Sequence, residues 1–175
     1  MGNIVVVTEL SEKQLGVIEH MVNGAYKSLR ESLLDVERQP AWKKEDGDVD
    51  ARDFLDDNRT CGNRLFIIQN RLRDPEKKSV PFYYVREPRW FNAVVSLSLL
   101  PPDGRKHYSE HWFGQAAALM AQTIGQAIEM SCTARECVVT PFPRYEEDKY
   151  AFLKDAARRE KLCNNHMSHQ LAPYF

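Results

Sequence analysis

Nowhere does the 175-residue chain approach the run of about 18 apolar residues that a membrane-spanning helix needs, so no span is expected. Residues 1–10 lack both a basic flank and a small-residue cleavage site, which argues against a secretory leader. Nor is either charge in excess: 24 Lys and Arg against 25 Asp and Glu leave a formal charge of -1. A polyanion such as nucleic acid therefore finds no bulk attraction. Cysteine is sparse, with Cys61, Cys132, Cys137 and Cys163 too scattered for a disulfide scaffold. Reduced thiols in a cytoplasmic setting are the expectation, with room for a single disulfide. Internal repeats and low-complexity tracts are missing as well. What remains, 43% hydrophobic and 28% charged residues with 8 Gly and 9 Pro, is the composition of one soluble globular domain with a real core.

Local signals set the order of elements. NIVVVT at 3–8 is a β-branched run followed by Ser11 and, three positions on, by Gln14, a strand handed to a helix through a capping box. Leu15, Ile18, Val22, Tyr26, Leu29, Leu33 and Val36 recur at helical steps and predict a long helix ending before Pro40. Residues 43–60 read as an acidic surface excursion with a short helix over 49–57. Strand-like runs follow at 64–69, 80–86 and 91–100, and their succession implies antiparallel pairing. A long helix over 109–133, a short strand at 136–140 and a helix at 146–161 complete one domain at 1–163, with 164–175 as a C-terminal tail. The expected fold is α/β (α+β), a mixed, largely antiparallel sheet with helices on both faces.

Four groups of residues carry chemistry. His107-x-x-Glu110-His111 matches the inverzincin pattern, in which two histidines bind zinc and the glutamate serves as general base; a zinc hydrolase is one function it implies. Its third ligand would come from Glu129, Glu136 or Glu160. Cys163, His166 and His169 have C-x-x-H-x-x-H spacing, but no fourth ligand is evident and the segment reads as a tail. Asp46, Asp48 and Asp50 alternate, with Asp57 eleven residues after the first, like a calcium loop, yet Ala51 stands where glycine should be and Asp57 where glutamate should, so they read as a solvated loop. Tyr83, Tyr84, Arg86, Arg89, Trp90 and Phe91 read as core or interface residues rather than a base-stacking surface.

The order β-α-(α)-β-β-β-α-β-α, with His111-x-x-Gly114-Gln115-Ala116 after the fourth strand, resembles the GNAT N-acyltransferase superfamily. That resemblance implies acetyl-CoA or another acyl-CoA held by His111, Gly114, Gln115 and Ala116, with His111 standing where the family has Gln or Arg. Tyr150 is the nearest counterpart of the family's general acid. A scaffold without chemistry, such as a viral or phage particle component, is the alternative it leaves open. Leu171, Tyr174 and Phe175 are then expected to bring the tail into self-association or onto a protein partner by strand addition.

Overall fold

The structure, a computed structural model, describes residues 4–29, 47–100, 110–130, 132–134, 136–140, 161–166 and 174. In chain order the elements are β1 (Val5–Thr8), α1 (Glu12–Tyr26), β2 (Val49–Asp50), α2 (Ala51–Asp57), β3 (Arg64–Ile68), β4 (Leu72–Arg73), β5 (Ser79–Val80), β6 (Phe82–Glu87), β7 (Trp90–Ser96) and α3 (Glu110–Ala127). The capping box at the start of α1 forms as its sequence dictates. Ser11 Oγ accepts the Gln14 N–H at 3.3 Å and Gln14 Oε1 accepts the Ser11 N–H at 2.9 Å.

Four strands make the main sheet in the order β1-β3-β7-β6, and β2, β4 and β5 make a small second one. In the main sheet β1 and β7 run parallel to β3, while β6 pairs antiparallel with β7 at the edge. The α/β class and the helices on both faces agree with the sequence. The pairing differs from the expected antiparallel succession because β3 and β6 are not neighbours: β7 lies between them. A parallel pair covered on both faces needs apolar residues at every position, which is why RLFII and WFNAVVS show no alternation.

Alternate residues of those strands feed two cores. Val6, Leu65, Ile67, Ala93 and Val95 pack with Leu15, Ile18, Val22 and Tyr26 of α1 and with Leu119, Met120 and Ile124 of α3. Val7, Phe66, Ile68 and Val94 point the other way, toward Phe54 and Leu55 of α2. Phe54 meets Phe66 edge to face at 5.3 Å between centroids. Asp50 and Asp48 of the acidic excursion have structural partners. Asp50 caps α2, accepting the Asp53 N–H at 3.1 Å, and pairs with Lys77, while Asp48 pairs with Arg73.

α1 packs against α3 where Tyr26 meets Ala121 and Gly125, two small residues one turn apart. Gly125 is required sterically: a Cβ there would run into the Val139 side chain and stand 3.0 Å from the Tyr26 hydroxyl. The expected continuation of α1 to Gln39 and the helix at 146–161 lie outside the described residues. At 136–140 the expected strand is a turn with one parallel bridge, Cys137 to Lys161. Tyr174 is buried on its own domain, its carbonyl accepting from Asn63 Nδ2 at 2.8 Å and its ring against Phe91. Among the described residues no helix is long and apolar enough to cross a membrane.

Candidate metal centre

The C-terminal end of α3 begins the site. Met130 N–H donates to Gly125 O at 2.8 Å and Glu129 N–H to Gln126 O at 3.2 Å, with Glu129 in the left-handed region at φ 63°, the pattern of a Schellman turn. A side chain in that conformation costs about 1 kcal/mol. Arg86 of β6 offsets the cost by pairing with Glu129 at 2.6 Å and donating to the terminal carbonyl of Ala127 at 3.4 Å. The turn buries Met130 and sends the chain back along the helix toward Cys132.

Two glutamines one turn apart on α3 then hold the returning segment. Gln122 donates to Thr140 O and Gln126 to Val139 O at 2.9 Å. Thr140 Oγ1 donates to Ala134 O at 2.7 Å, and Cys137 N–H donates to the same carbonyl at 3.0 Å, drawing 136–140 back onto Ala134. Residues 161–166 lie alongside, tied by Val138 N–H to Lys161 O and by Leu162 N–H to Ala25 O, each at 3.1 Å. Two separate stretches of chain therefore converge where α1 and α3 end.

Their convergence puts Cys132, Cys137, Cys163 and His166 together, with one ligand atom from each lying within 4.8 Å of every other. Cys132 Sγ is 3.5 Å from Cys163 Sγ, and Cys137 Sγ is 3.3 Å from His166 Nε2. A tetrahedral zinc with bonds of about 2.3 Å to sulfur would space its sulfurs about 3.8 Å apart, so the group needs little adjustment to close on the ion. Backbone amides already face the sulfurs: Ala134 N–H donates to Cys132 Sγ and Cys163 N–H to Cys137 Sγ, each at 3.4 Å. Such donors stabilise thiolates, the form that binds metal. All four cysteines of the chain are free of disulfides.

The electrostatics divide the cysteines. Burial pushes the Cys132 thiol up, but the Ala134 amide and the side chains of Cys163, Thr140 and His166 together outweigh it and hold Cys132 down at about 6. Cys137 goes the other way, to about 11, because burial dominates. His166 is buried, and its Nδ1 has no partner among the described residues. A core histidine ordinarily satisfies both nitrogens; this one spends its only polar contact on sulfur. Three soft sulfurs and one imidazole nitrogen make a complete set of four protein ligands, which suits zinc in a closed, structural site.

The sequence reading had two of these ligands, Cys163 and His166, and lacked the others. Its third, His169, lies outside the described residues, as do His107 and Tyr150. Glu110 and His111 open α3, and of their side chains nothing is described. The missed signal was Cys132-x4-Cys137 followed by Cys163-x2-His166, paired zinc-type spacings of which only the second was read as such. Gly114, Gln115 and Ala116 fall in the second turn of α3, where amides bond within the helix, and Ala116 is buried. A Cβ on Gly114 would meet nothing within 4 Å, so no close approach calls for glycine there.

No protein-family model matches the chain, and no curated protein does. Solved structures do. An archaemetzincin from Methanopyrus kandleri superimposes with a TM-score of 0.67 at 18% identity, over 98% of this chain and 94% of that one. An archaemetzincin from Archaeoglobus fulgidus gives 0.67 at 12% identity, over 99% of both. A zinc-dependent peptidase from Methanocorpusculum labreanum gives 0.61 at 16%, over 93% and 96%. The chain has an archaemetzincin-like fold. That finding overturns the N-acyltransferase resemblance, which rested on element order and two positions of a helix. Acyl-CoA falls with it, the Cys/His group pointing to zinc instead, and so does the viral-particle reading, since these neighbours are two archaemetzincins and a zinc-dependent peptidase.

Proposed function

We propose that the chain is a zinc-binding protein on an archaemetzincin-like fold, with Cys132, Cys137, Cys163 and His166 holding one structural zinc. The carrying observation is the convergence of three sulfurs and one imidazole nitrogen within 4.8 Å of one another from two stretches of chain. Bound there, zinc would supply a cross-link and no open coordination position. The protein's own residues do the rest: Gln122 and Gln126 fix the loop that carries Cys137, the Ala134 and Cys163 amides face the sulfurs, and Leu162 ties the last segment to α1.

Peptide hydrolysis, the activity named for the peptidase from Methanocorpusculum labreanum, needs a zinc that keeps one position for water. The metzincin pattern H-E-x-x-H-x-x-G-x-x-H does not occur in this sequence. A hydrolase reading therefore falls to His107-x-x-Glu110-His111, and the peptidase fold is what favours keeping it as the second reading. Elemental analysis separates the two. One zinc per chain that survives dialysis, is lost in Cys137→Ser and is kept in His111→Ala supports the structural reading. A second zinc lost in His111→Ala, together with cleavage of a casein substrate, would establish the hydrolase. For the tail we propose an intramolecular seat rather than self-association, since Tyr174 is already buried against Phe91; light scattering should report a monomer.

A further inference from the structure

Cys132 and Cys163 differ from the other two ligands in ways that bear on a second chemistry. Both are half-buried, whereas Cys137 and His166 are buried and in contact with each other. Their sulfurs stand 3.5 Å apart, about 1.5 Å beyond a disulfide bond. Neither lies in a helix or a strand, so each is held by a short irregular segment rather than by a hydrogen-bonded ladder. Two cysteine sulfurs in contact, each only partly buried, form the arrangement that a hydroperoxide converts to a disulfide.

We propose that Cys132 and Cys163 are an oxidation site at which hydroperoxides release the zinc, an inference that rests on the structural-zinc reading. One thiolate attacks the peroxide oxygen, the O–O bond breaks, and a sulfenic acid forms as the leaving oxygen takes a proton to become water or an alcohol. The second thiolate then attacks that sulfur and expels hydroxide, which is protonated to water. The two sulfurs lose two electrons in total, and the peroxide gains them. Zinc is left with Cys137 and His166 alone, too few ligands to retain it. The local cross-link between 132–134 and 161–166 passes from a metal to a covalent bond, while Cys137 and its loop lose theirs.

The test uses the full chain, loaded with zinc and carrying Cys61→Ser to remove the exposed thiol outside the site. Zinc content is measured first. Hydrogen peroxide is then added, released zinc is followed with a chromogenic chelator, and thiol pairing is read by acid quench, alkylation and peptide mass spectrometry. The expected result is one zinc released for each Cys132–Cys163 disulfide, at the same rate, with reductant and zinc restoring the starting state. Disulfides made mainly through Cys137, sulfinic acids without a cross-link, or thiols unreacted under excess peroxide would each overturn the proposal. A protein that carries no zinc at the outset but still forms the Cys132–Cys163 pair would instead overturn the structural-zinc reading. Pairing is scored in a protein with all four ligands intact, so the outcome does not depend on a ligand variant folding.

Discussion

The sheet and the metal group solve the problem of holding chain together by opposite means. Between α1 and α3 on one side and α2 on the other, β1, β3 and β7 are joined by continuous ladders and buried on both faces, an arrangement that apolar area alone can stabilise. Residues 132–140 and 161–166 have one isolated bridge, a handful of side-chain caps and four ligand atoms. The first region supplies most of the core; the second adds Val138, Val139 and Leu162 to that core but has no ladder to hold its backbone. In a small irregular region, a cross-linking ion substitutes for the hydrogen-bonded ladders that regular structure provides.

Removing the ion should widen that difference more than any single substitution. Chelation with a tight zinc ligand is expected to expose the amides of 132–140 and 161–166 to hydrogen exchange while those of β3 and β7 stay protected. Exchange that rises uniformly across both regions would erase the distinction. Acid should act in the same direction, since the cysteines and His166 must be deprotonated to bind metal, so zinc retention should fall as pH is lowered.

Gly125→Ala joins the two regions at their contact. The added methyl has to displace Val139, a stiff buried side chain, and crowds the Tyr26 hydroxyl, so a loss of about 2 kcal/mol or more is expected in denaturant unfolding, with weakened zinc retention. A stability change within experimental error would show that the loop at 137–140 yields more readily than its hydrogen bonds suggest.

Tyr26→Phe probes the same contact from α1. The phenol is buried and donates to Ala121 O; its loss should cost about 1 kcal/mol. Burial, reinforced by Cys137, raises the Tyr26 pKa far above its ordinary 10.0. The folded state thus favours the neutral phenol, and the stability this contributes is full below the unfolded value and declines as pH rises past about 10. Wild type should lose stability there faster than Tyr26→Phe, measured by urea unfolding at matched alkaline pH.

The smallest effect on the metal group should come from the far side of the sheet. Asp50→Ala removes the cap of α2 and is expected to cost about 1 kcal/mol without changing zinc content. The Lys77 side chain, then the Asp53 amide, hold the Asp50 carboxyl below its usual value, so the contribution is present at neutral pH and lost in acid. A cap variant that released zinc would contradict the independence of the two regions.

What was legible in the sequence follows the same divide. The Ser11–Gln14 capping box depends on residues three apart and could be read directly, whereas the Asp50 cap of α2 was hidden in what looked like an acidic loop. Helices on both faces of a mixed sheet followed from the apolar runs. The parallel partnership of β3 with β7 could not, because two strands with similar apolar faces do not say which is whose neighbour until the whole sheet is assembled. The metal group was half legible: Cys163 and His166 share a turn, but Cys137 lies 26 residues earlier and reaches them only through the folded loop. Cys132 and Cys137 looked like scattered thiols because the helix end that aims them is defined by Glu129, Arg86 and two glutamines.

X-ray absorption at the zinc edge of the purified full chain tests the metal assignment most directly. One zinc per chain, bound by three sulfurs at about 2.3 Å and one imidazole nitrogen at about 2.0 Å, is the expected spectrum. A zinc bound by nitrogen and oxygen alone, and lost in His111→Ala but kept in Cys137→Ser, would contradict it.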